Sequence, residues 1–137
     1  MVNENPKTTT EVLALVDDLF FQAKLAETAR KLGITLTTVS TGGALVTAIE
    51  GVREGTQDGA RRSDLPRLVV VDLNARQGAV EAIEHLHRSG NLVPVIGFLS
   101  HVQTDLARRA EAAGCKQVLP RSSFTANLSK ILLQAKS

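Results

Sequence analysis

Two unbroken apolar runs end in aspartate. Val12-Leu13-Ala14-Leu15-Val16 leads into Asp17-Asp18, and Leu68-Val69-Val70-Val71 leads into Asp72. An apolar run of this length without polar alternation predicts a strand covered on both faces, as in a parallel sheet. Between the runs the pattern changes period. Asp18 is placed to cap a helix carrying Phe21, Leu25, Thr28 and Leu32, and Gly33 stops it. Ile34 to Val39 alternates and is β-branched, which predicts a second strand at a sheet edge. Thr41 is placed to cap a helix with Leu45, Ile49 and Val52 on its apolar face.

The second half repeats this rhythm after an interruption. Gly55 to Pro66 is rich in Gly, Asp, Ser and Arg and predicts a long exposed loop. After the strand ending at Asp72, a helix is expected from about Gly78 to Arg88, closed by Ser89-Gly90. Val93 to Phe98 predicts the fourth strand, with Pro94 tolerated near its start. Ser100 and Gln103 have capping-box spacing for a helix reaching Ala113, with Gly114 as its stop. Gln117-Val118-Leu119 predicts a short fifth strand, and Ser123 begins a last helix with Leu128, Ile131 and Leu132 on one face.

Five alternations of strand and helix predict a (βα)5 chain with right-handed crossovers and helices on both faces. The expected architecture is α/β, a doubly wound parallel five-stranded sheet of flavodoxin-like order 2-1-3-4-5. That order sets the first and third strands side by side. The topological switch point then lies between their carboxyl ends, where such sheets bind ligands, and Asp17, Asp18 and Asp72 converge there.

Composition narrows the function. At 137 residues, 43% hydrophobic and 22% charged, the chain reads as one soluble domain over 11–137, behind a flexible polar segment over 1–10. A net charge of +2 is no basic stripe, and the absence of Trp and Tyr removes a base-stacking platform, so no direct nucleic-acid binding is expected. The one cysteine, Cys115, excludes an internal disulfide and reads as a packed residue. No apolar run spans a membrane and the first residues lack a signal-peptide core, so a cytoplasmic location is expected. His85 and His87 diverge on a helix and form no metal set, and His101 reads as an exposed helix-start residue. Arg61-Arg62, with Arg53 and Arg67, make the long loop basic, and Thr41-Gly42-Gly43 reads as a capped turn.

Three clustered carboxylates raise one another's pKa unless a cation neutralises them. Magnesium suits hard oxygen ligands and is typically held by one or two carboxylates beside phosphate oxygens. The cluster therefore points to a magnesium site next to a phosphoryl group. Asp72 is the candidate nucleophile, and Asp17 and Asp18 are the candidate metal ligands. Asp18 as only a helix cap, and Asp72 as only a turn-capping residue, are the structural alternatives.

With these residues in place, the sequence resembles the receiver domains of bacterial two-component response regulators from about Glu11 to Gln134. Asp17-Asp18 matches the family's acidic pair, Asp72 its phospho-accepting aspartate, and Asn74 the residue whose backbone carbonyl meets magnesium. The resemblance implies a module that accepts a phosphoryl group from a sensor histidine kinase or phosphotransfer protein, passes the signal to an output protein by contact, and can form a homodimer. It departs from the pattern in four places. Ala75-Arg76-Gln77-Gly78 replaces the family's turn. Leu99 stands at its Thr/Ser position with Ser100 one residue later, so Ser100 either reaches the site through a bulge or caps the helix. Val118 stands at its switch aromatic, and Arg121-Ser122 at its Lys-Pro. Arg121 would balance the phosphoryl charge with a planar fork instead of a point charge. Two other readings remain: a phosphorylation-independent pseudo-receiver that only docks partners, and a small magnesium-dependent phosphohydrolase. The hydrolase family needs a second aspartate where Asn74 stands. Otherwise no enzyme activity is expected, and no Gly-rich fingerprint supports nucleotide or flavin binding.

Overall fold

The computed structural model describes residues 10–53, 64–100 and 103–136. Five parallel strands lie in the order β2-β1-β3-β4-β5, as the alternation predicts. They are β1 (Val12–Leu15), β2 (Leu36–Val39), β3 (Leu68–Asp72), β4 (Val95–Leu99) and β5 (Gln117–Pro120). The helices are α1 (Leu19–Leu32), α2 (Gly42–Arg53), α3 (Ala79–Arg88), α4 (Thr104–Ala113), α5 (Arg121–Ala126) and α6 (Leu128–Leu133), with a 3-10 turn over Gln134–Lys136. No helix among the described residues is long and apolar enough to cross a membrane. Residues 1–9, most of the basic loop, and His101 fall outside the described residues.

Every residue of β1, β3 and β4 is buried. Their apolar runs feed two cores because successive side chains leave the sheet on opposite faces. Leu13, Leu15, Val69 and Val71 pack with Leu45, Ile49, Ile83 and Leu86 of α2 and α3. Val12, Ala14, Val70, Ile96 and Phe98 pack with Phe21 and Leu25 of α1 and with Phe124, Leu128 and Leu132. The edge strands β2 and β5 are less covered.

Local signals held where nothing nonlocal competed. Asp18 Oδ1 accepts from the Phe20 and Phe21 amides at the head of α1. Thr41 Oγ1 accepts from the Ala44 amide, and the Gly42 amide donates to Gln77 O, so this turn is a helix cap. A Cβ on Gly42 would stand 2.0 Å from Gly78 O, so glycine is required where α2 meets the loop after β3.

Three expectations shift. On α1 the buried position is Ala29, while Thr28 is half-exposed and its hydroxyl donates to Lys24 O. The last helical segment starts at Arg121 rather than Ser123 and breaks at Asn127. The capping box over Ser100–Gln103 does not form. Helix α4 starts at Thr104 with Gln103 at its cap position, because Ser100 and the Gln103 side chain are held by Asn74.

Candidate phosphoryl-acceptor site

Register brings the acidic residues together. Leu15 pairs with Val71 across β1 and β3, so Asp17 and Asp18 leave β1 beside Asp72 at the end of β3. Asp72 is the one polar or charged residue among the described residues that is buried, at 5% exposure. Its Oδ1 accepts from the Asn74 amide at 2.9 Å. Its Oδ2 faces Arg121 Nη2 at 3.5 Å. Burial pushes the Asp72 carboxyl above its usual range. The Asn74 amide and Arg121 pull it down, and Asp17 and Asp18 push it further up.

Arg121 is built into this pocket by aromatic packing. Its guanidinium lies 4.5 Å from the Phe21 ring centre and 5.6 Å from that of Phe98. Phe98 stacks on Phe124 at 4.4 Å, three residues along α5 from Arg121. Arg121 Nη1 reaches Asp18 Oδ2 at 3.9 Å. These ion-pair distances exceed the roughly 2.8 Å of a formed charge-assisted bond. Arg121 Nε is buried with no hydrogen-bond partner. An unsatisfied buried donor costs about 1–3 kcal/mol, so an acceptor oxygen delivered there would be stabilised.

Asp17 accepts from the Arg76 amide at 2.9 Å, with Arg76 Nε at 3.5 Å. In the sequence Arg76 stands out only as a departure in the turn. Its partner lies 59 positions away, beyond any local rule. Ser100 does not reach Asp72 in this arrangement. Its amide and hydroxyl both donate to Asn74 Oδ1, at 2.7 and 3.1 Å. Leu99, at the sequence position expected for a hydroxyl, is buried in the core.

No three His, Cys, Asp or Glu side chains among the described residues converge as a ready-made metal cage. The donor set still fits a hard cation, because Asp18 and Asp72 share one cationic partner, and magnesium commonly uses only one or two carboxylates. His85 pairs with Glu50 at 2.9 Å and His87 lies under Gly114, both away from the pocket. The Phe21–Phe98–Phe124 platform was not read from the sequence as part of the site. Its only signal was that these three phenylalanines are among just four in the chain.

Compared by sequence, the chain matches no family model and no curated protein. Compared by structure, it is similar to the signal receiver domain of NarL from Mycobacterium tuberculosis. The TM-score is 0.72 at 15% identity, over 94% of this chain and 98% of that one. The phosphorylated cyanobacterial phytochrome response regulator RcpA matches with a TM-score of 0.71 at 14% identity, over 91% and 89%. The Mn2+-bound response regulator Rcp1 matches with a TM-score of 0.69 at 17% identity, over 88% and 87%. At such identities the likeness is one of architecture: the chain has the receiver-domain fold of the CheY-like proteins.

Proposed function

We propose that this chain is a two-component receiver module that accepts a phosphoryl group on Asp72. The observation that carries this reading is the pairing of a buried carboxylate with a cation that has an orphan donor. Asp72 sits at the switch point of the sheet, and Arg121 beside it holds a buried Nε without an acceptor. A phosphoryl group on Asp72 would bring oxygens to that donor. Oδ1 is occupied by the Asn74 amide, which leaves Oδ2, the oxygen facing Arg121, to form the bond.

The donor would be a phosphohistidine of a kinase or phosphotransfer protein. Asp72 Oδ2 attacks phosphorus, the phosphorus–nitrogen bond breaks, and the imidazole leaves with the electron pair. Magnesium, held by Asp18, Asp72, the Asn74 carbonyl and Asp17 once Arg76 releases it, would neutralise charge between the attacking carboxylate and the phosphoryl oxygens. The Arg121 fork, held against Phe21 and Phe98, would take phosphoryl oxygens bidentately. Signal output would follow by protein contact.

A second reading is favoured by the ion pairs already made. Asp72 and Asp18 have Arg121, and Asp17 has Arg76, so the pocket also suits a docking module that needs no phosphoryl group. Fluorine NMR with magnesium and beryllofluoride separates the two. A bound fluoride signal that is lost in Asp72→Ala supports the acceptor. Its absence at saturation leaves the docking module.

A further inference from the structure

The hydrogen bonds of Asp72 do not end at its neighbours. Asn74 donates one of them from its backbone amide and makes three more with its side chain. Its Oδ1 accepts from the amide and the hydroxyl of Ser100, just past the end of β4. Its Nδ2 donates to Gln103 Oε1 at 2.9 Å, and Gln103 holds the cap position of α4. Gln103 O in turn accepts from the Ala107 amide inside the first turn of the helix. An unbroken line of bonds thus runs from Asp72 Oδ1 through Asn74 to Ser100 and the head of α4.

We propose that Asn74 is a positioning residue that reports the state of the Asp72 carboxylate to the start of α4. Two physical points carry this. The Asn74 amide–carboxylate bond is charge-assisted, so a change of charge on Asp72 changes its strength more than that of a neutral bond. The Asn74 side chain is a planar amide fixed at both ends, with Oδ1 on Ser100 and Nδ2 on Gln103, so a shift of its backbone must move those bonds together. This deepens the receiver reading by naming the path its output takes, but the bond line exists without phosphorylation and can be tested without it.

The test is a mutant cycle read by amide NMR shifts at Ser100, Gln103 and Thr104, with no phosphoryl donor present. Asp72→Ala removes the Oδ1 acceptor and should move all three signals. In an Asn74→Ala background the same Asp72→Ala change should move them at least ~5-fold less, because coupled residues are non-additive. Asn74→Asp keeps the Oδ1 acceptor for Ser100 and should retain the Ser100 response while losing that of Gln103. Equal responses to Asp72→Ala with and without Asn74, or no response to Asp72→Ala at all, would overturn the proposal. Beryllofluoride binding is a separate readout in the same spectra. If it is missing while the cycle remains coupled, the acceptor reading has failed and the Asn74 path has not.

Discussion

Replacing Arg121 by Met tests whether a buried charge pair organises the pocket. Methionine keeps an apolar stem against Phe21 and Phe98 and removes the guanidinium, which sits 3.5 Å from Asp72 Oδ2. Removing one partner of a fully buried pair costs about 3–5 kcal/mol. Arg121 is one-third exposed and the contact is long, so the expected loss at neutral pH is about 2 kcal/mol, of which cation–π contact is about 0.5–1 kcal/mol. The pH dependence identifies the cause. The folded-state pKa of Asp72 already lies above its ordinary 3.8, so its contribution to stability is full below 3.8 and is lost as pH rises through the folded value. Without Arg121 that value rises further, so the gap between variant and parent should widen as pH rises above the ordinary 3.8. Urea unfolding followed by far-ultraviolet circular dichroism measures it, since the chain has no Trp or Tyr. The double variant with Asp72→Asn, which leaves no buried charge, should recover most of the loss at neutral pH. A penalty that stays flat with pH, or that Asp72→Asn does not relieve, refutes the charge-pair reasoning.

Three further outcomes follow from single contacts. Asp18→Ala removes the acceptor for the Phe20 and Phe21 amides and should lower stability by about 1 kcal/mol in the same urea assay. Gly42→Ala places a Cβ 2.0 Å from Gly78 O and should cost about 2 kcal/mol or more, whereas Gly43→Ala, which meets nothing within 4 Å, should be close to neutral. Burial pushes the Cys115 thiol up to about 11, so at pH 8 it should resist a disulfide reagent until denaturant is added. Rapid labelling of the folded chain would contradict its placement.

Much of the site was legible because its parts lie at strand ends. The two apolar runs specify buried parallel strands, and the βα alternation then fixes which strand ends are neighbours. Asp17, Asp18 and Asp72 needed no more than that. What could not be read depends on pairs far apart in sequence. Ser100–Gln103 satisfies a capping-box pattern, yet Asn74 takes both residues and α4 starts later. Arg121 was legible as a cation by resemblance. Its seat on Phe21 and Phe98, from α1 and β4, was not, since no spacing rule links those three positions. The Arg76–Asp17 contact was hidden for the same reason.

Incubation with acetyl phosphate and magnesium, followed by intact mass spectrometry, tests the central claim most directly. The expected result is one added phosphoryl group per chain, labile to hydroxylamine as an acyl phosphate, absent in Asp72→Ala and reduced in Arg121→Met. An unmodified parent chain under saturating donor, or modification that persists in Asp72→Ala, would contradict it.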